Sequence, residues 1–213
     1  MRFFVIVLQL LIFFFSVIVH EVSHGYMALR KGDPTAKDAG RLTLNPLAHI
    51  DIFGTIIFPF LLIVMQAGII FGWAKPVPIN PYYLKDPKRD LMWVGAAGPL
   101  SNIGIAIVLA IPLRLVGAQY IVPPPIAQFI AFGVMINLLL AFFNLIPIPP
   151  LDGSRIVQGF LSYEAQEKYL SIERFGIFII FGLLWIGAFR YVLFPLVSYS
   201  FHFLTGNPIG IYL

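Results

Sequence analysis

The stretch His20-Glu21-Val22-Ser23-His24 sets three side chains at a spacing that suits metal chemistry. On a helix, residues four apart share a face, so His20 and His24 can offer two imidazoles to one cation. Glu21 lies about 100° further round the helix, near enough to reach a water held by that cation without displacing it. Neutral imidazoles and a carboxylate are ordinary zinc ligands, and a catalytic site keeps one position open for water. The pKa of such a water falls to about 7, and Glu21 can take its proton and pass it to a leaving amine.

H-E-x-x-H also arises by coincidence in soluble helices, but its surroundings here argue against coincidence. Apart from Arg2, no charged residue precedes the motif, which sits inside the apolar run 3–29. An ionisable residue within a membrane span costs roughly 2.5 kcal/mol or more on insertion scales, so three together call for a function.

The elements that must position these residues are membrane helices. The chain has 213 residues, is 59% hydrophobic and only 11% charged, with a mean hydropathy of +0.89. That composition predicts an all-α polytopic membrane protein with a single membrane-embedded domain over 1–213. The net charge of +4 falls in short loops, which suits membrane orientation and not nucleic-acid binding. There is no cysteine, so thiolate chemistry, disulfides and Cys-ligated metals are excluded. The first apolar run is too long for a signal-peptide core and is expected to remain in place.

A span needs roughly 20 apolar residues at about 1.5 Å each. The runs 3–29, 91–117, 126–146 and 174–194 meet that requirement, and 52–71 is a fifth apolar stretch, giving five to six membrane segments. Basic residues cluster in three connections: Arg30, Lys31, Lys37 and Arg41; Lys85, Lys88 and Arg89; Arg155, Lys168 and Arg174. The link 118–125 has no Lys or Arg. The positive-inside tendency puts all three basic connections, and the active site with them, on the cytoplasmic side. That requires 52–80 to be re-entrant, going in as a helix or hairpin and returning through "GWAKPVPIN" in extended form.

A third metal ligand must come from elsewhere. Asp152 follows a full apolar run, where Pro147, Pro149 and Pro150 stop the helix and can turn a carboxylate inward. His49 and Asp51, in "NPLAHID", are the other candidates, and each could equally make ordinary loop hydrogen bonds.

"HEVSHG", "GRLTLNPLAHIDIFGT", "FGWAKPVPIN", "AGPLSN" and "NLIPIPPLDGSRI" occur in this order over roughly residues 15–160. Together they resemble the site-2 protease family of intramembrane zinc metalloproteases. The resemblance implies zinc held by His20, His24 and Asp152, with Glu21 as general base. It also implies a transmembrane protein as substrate, cleaved within or near the lipid bilayer at an active site facing the cytoplasm. The chain looks like a short form, with no PDZ-like insertion or nucleotide-sensing domain.

Other polar or extended positions divide by role. The resemblance makes Asn144 a candidate for binding substrate backbone, although it could simply cap its own helix. Asn102 could donate to a developing oxyanion or hold helices together with Gly98 and Ser101. His49 reads as structural, and His202, in an aromatic tail, as interfacial. In "AKPVPIN", Pro76 and Pro78 remove donors from one edge of an extended segment, while Val77 and Ile79 keep N–H groups on the other. A substrate held extended could pair with Val77 and Ile79. The rival readings are a non-enzymatic zinc-binding membrane protein, either a metal transporter or a relative that binds peptides without cutting, and a zinc hydrolase acting on lipid. A mere binder has no need of a base at Glu21.

Overall fold

The computed structural model describes residues 2–65, 74–115 and 123–212. Among these residues the chain is helical and contains no strand. Among the described residues, three helices are long and apolar enough to cross a membrane, or four if a bent pair near the C-terminus is one span. The three are α1 (Arg2–Lys31), the later α4 (Pro87–Leu115) and α5 (Pro124–Asn144), with mean hydropathies of 2.4, 1.9 and 2.2 over their most apolar windows. Between α1 and α4 lie two short helices, α2 (Thr35–Asp38) and α3 (Phe58–Val64).

Helix α4 packs between α1 and α5. Small residues permit the close approach of α4 to α5: Ala106 and Ala110 on one helix and Ala127 and Ala131 on the other are all buried. Leu113, Val134 and Leu138 fill the same core with Val197, Phe201 and Tyr212 from further along the chain. At the far end of α4, Arg114 donates to the Phe203 carbonyl at 2.5 Å.

The start of α4 lies beside the end of α1. Lys31 Nζ is 3.0 Å from Asp90 Oδ1, and His24 Nδ1 is 2.6 Å from the Val94 carbonyl. The connection 32–86 therefore leaves and rejoins the bundle at one end, as the re-entrant reading of 52–80 requires. Asp51 caps its inward limb by accepting from Gly54 N–H at 2.6 Å; one π-helical turn over Ile52–Ile57 then leads into α3. Residues 66–73, where the re-entrant reading puts the turn-back, lie outside the described residues, as does most of the uncharged link 118–125.

Two expectations need correction. The run 174–194 is not one straight span: α8 (Glu173–Trp185) and α9 (Ala188–Thr205) are bent by 79° from one another. Gly187, with φ +71°, adopts the left-handed conformation that ends α8 and is open mainly to glycine. Residues 74–80 do not form an edge strand; they run without regular structure, tied to neighbouring loops. Lys75 N–H donates to the His49 carbonyl at 2.9 Å, Arg41 donates to the Lys75 carbonyl at 2.7 Å, and Asn80 N–H donates to Asp33 Oδ2 at 2.6 Å.

After α5 the chain turns through Ile146–Leu151, with a cis bond between Pro149 and Pro150, into the seven-residue helix α6 (Asp152–Gln158). Helix α7 (Tyr163–Leu170) then leads to α8. Gly153 is needed at the turn, because a Cβ there would collide with the Leu145 carbonyl. The effect is to bring Asp152 back against α1 and α4.

Candidate metal centre

The H-E-x-x-H motif lies in the last third of α1, with both histidines buried at 6% exposure. Their rings meet edge to face with centroids 4.7 Å apart. Each ring's Nδ1 faces a fixed acceptor. The Val94 carbonyl accepts from His24, and Asn102 Oδ1 accepts from His20 at 2.5 Å. The Asn102 amide is oriented by its other end, since Nδ2 donates to Asn137 Oδ1 at 2.8 Å and to the Ser16 carbonyl at 3.3 Å. With Nδ1 committed as donor, a neutral imidazole presents the Nε2 lone pair.

Both Nε2 atoms point at one carboxylate oxygen. Asp152 Oδ2 is 3.0 Å from His20 Nε2 and 3.2 Å from His24 Nε2. Two lone pairs and an ionised oxygen thus converge, an arrangement that repels itself unless a cation sits among them.

The spacing fits a tetrahedral ion. Ligand bonds of about 2.0–2.1 Å put neighbouring ligand atoms about 3.3 Å apart, close to the separations found. Space is reserved as well: a Cβ on Gly98 would lie 2.5 Å from His20 Nε2 and closer still to that of His24. His20, His24 and Asp152 form the group of potential metal ligands found among the described residues. An N,N,O donor set suits zinc, whose fourth tetrahedral position would then be left for water.

His49 and Asp51 are not in this group. The His49 Nε2 donates to the Thr43 carbonyl at 2.8 Å, and Asp51 is spent on its cap. Exposed His202 is on α9. Asn144 donates to the Leu140 carbonyl, one turn back in its own helix, at 2.9 Å. Asn102 is fully buried with both ends of its amide engaged, so it orients His20 and has no donor left for an oxyanion.

Val77 also differs from expectation. Its N–H is not free for a substrate but donates to Glu21 Oε2 at 3.0 Å. Gly25 makes this approach possible, because a Cβ there would meet Val77 Cγ1 at 2.9 Å. Ile79 N–H, the second donor expected on that edge, has no hydrogen-bond partner among the described residues.

Sequence reasoning missed Ser16 and Asn137. Both are fully buried. Asn137 Nδ2 donates to Ser16 Oγ at 2.8 Å, and Ser16 Oγ donates to the Ile12 carbonyl at 2.7 Å. The available signal was an amide, Asn137, midway along the apolar run 126–146, and a hydroxyl, Ser16, four residues before His20 in 3–29.

Comparison with known proteins agrees with this geometry. The family model described as "Peptidase family M50" matches residues 118–187. "Putative zinc metalloprotease YwhC" of Bacillus subtilis is 38% identical over 189 residues, which is 86% of this chain and 82% of that protein. "Putative zinc metalloprotease Rip2" of Mycolicibacterium smegmatis is 31% identical over 191 residues, 88% of this chain and 70% of that protein. "Zinc metalloprotease MJ0392" of Methanocaldococcus jannaschii is 27% identical over 183 residues, covering 82% and 42% respectively. No solved structure matches the chain. The extent and identity of the YwhC match, together with the ordered motifs, establish that this chain belongs to peptidase family M50, the site-2 protease family.

Proposed function

We propose that this chain is an intramembrane zinc metalloprotease that hydrolyses peptide bonds of transmembrane proteins. The observation that carries the reading is the convergence of Asp152 on His20 and His24, which lie with Glu21 in a helix apolar enough for lipid. Zinc bound there would act as a Lewis acid on the substrate carbonyl and acidify an attacking water.

The chain's own residues do the rest. Asn102 and the Val94 carbonyl hold the two imidazoles in the tautomer that leaves Nε2 free. Val77 N–H holds Glu21 Oε2, leaving Oε1 to receive the proton when water adds to the carbonyl carbon. The same oxygen returns that proton to the amide nitrogen as the C–N bond breaks.

In this reading the whole of 1–213 is one membrane-embedded catalytic domain that crosses the bilayer several times, in five to six segments. The three basic connections and the metal end of the bundle face the cytoplasm. A transporter or a non-cutting peptide binder would use the same ligands but would give Glu21 no work.

The test is cleavage of single-span peptides by purified protein, with and without chelator, beside the Glu21→Gln variant. The variant should keep near-normal zinc and lose cleavage by roughly 10²-fold or more. Robust turnover by Glu21→Gln would overturn the assignment.

A further inference from the structure

Three polar side chains on α6 play no part in the chemistry above. Ser154 and Gln158 are 3% and 8% exposed, yet neither side chain makes a hydrogen bond among the described residues. Half-buried Arg155 has no ion pair. Spacings of three and four place all three on neighbouring positions of the short helix that begins with Asp152. Gly95 of α4 gives Arg155 its room, since a Cβ there would meet Arg155 Cβ at 2.9 Å.

All three line one cavity of about 210 Å³, whose wall also includes Ile79 of the extended segment. The Ser154 and Gln158 side chains are not among the polar groups sealed away without a partner, so they open onto the cavity and can serve a bound group. Uncommitted groups on one cavity wall are what a ligand site needs. Its interior offers a guanidinium, a hydroxyl and a carboxamide, a set that fits a carboxylate. Glu173 also lines the cavity but is solvent-exposed, so its opposing charge is screened.

The cavity's place relative to the reaction follows from Val77 and Ile79. Val77 N–H is on the catalytic carboxylate, and Ile79 lies two residues on, at most about 7 Å along the chain. A peptide whose scissile bond lies at Glu21 therefore brings a side chain about two residues away within reach of the cavity.

We propose that the Ser154–Arg155–Gln158 cavity is an acid-selective subsite that takes a substrate Asp or Glu two residues from the scissile bond. This rests on the protease reading for the identity of the ligand as a peptide.

The test uses zinc-loaded full-length protein in detergent and dye-labelled single-span peptides, identical except for one flanking residue that is Glu, Gln, Leu or Lys. At one position, two residues from the cut, Glu should exceed Leu in kcat/KM by about tenfold or more. Arg155→Ala should bring the Glu-to-Leu ratio to about one, and Arg155→Glu should turn the preference toward Lys. Peptide binding to Glu21→Gln protein reads the same ratios without hydrolysis. Equal binding of Glu and Leu peptides, or ratios unmoved by Arg155→Glu, would overturn the subsite even if cleavage is normal. Acid-selective binding without cleavage by the unsubstituted protein would keep the cavity and overturn the protease reading instead.

Discussion

The Val77 N–H donates to Glu21 Oε2 at 3.0 Å, so a backbone amide 56 residues away holds the carboxylate of the H-E-x-x-H motif. Removing that donor while keeping the segment in place should loosen the base without removing the metal. Val77→Pro is expected to lower kcat by about tenfold or more, whereas Val77→Ala, which keeps the N–H, should retain most of it. Zinc content should be similar in both. A Pro variant with unchanged kcat would show that the contact has no catalytic role.

Asp152 and His49 separate by metal content. Asp152→Ala removes one of three converging donors and leaves two buried imidazoles, so zinc occupancy should fall sharply in metal analysis of purified protein. His49→Ala should retain most of its zinc, because its ring bonds to the Thr43 carbonyl and not to the centre. Zinc loss in His49→Ala with normal content in Asp152→Ala would reverse the ligand assignment.

Gly98 is a sharper probe of the same space. An added methyl would occupy the volume between the two Nε2 atoms, so Gly98→Ala should exclude zinc while the helices stay folded. Circular dichroism should be unchanged and zinc content low. Full zinc occupancy in this variant would place the ion elsewhere.

The histidine pair can be read from the sequence because its chemistry is local: two histidines four apart declare a shared face. The third ligand is less legible, because Asp152, His49 and Asp51 are all candidates and only the family resemblance singles out Asp152. The roles of Asn102 and Val77 could not be read that way. Asn102 acquires its role only when α4 is laid against α1 in one register, and the group contributed by Val77 is a main-chain donor that every residue but proline possesses. The bend at Gly187 was hidden for another reason: the run 174–194 is apolar on both sides of it, and hydropathy is blind to a reversal in φ.

The same-end geometry of 32–86 makes a topological prediction. With no native cysteine, single cysteines at Lys37, Lys85 and Gln119 can be labelled cleanly with a membrane-impermeant reagent in oriented vesicles. Positions 37 and 85 should react from one face and position 119 from the other. Labelling of 37 and 85 from opposite faces would eliminate the re-entrant path.

The polar side chains behind the metal centre form a closed circuit. It leaves α1 at His20, passes through Asn102 of α4 and Asn137 of α5, and returns through Ser16 to the Ile12 carbonyl of α1. Each link points its donor the same way round. Sliding any one helix by a single residue, about 1.5 Å, would break the circuit and strand an amide or hydroxyl in an apolar interior. The circuit therefore works as a register gauge: it gives the three helices one permitted alignment, and the aim of His20 is a property of that alignment as much as of the histidine itself.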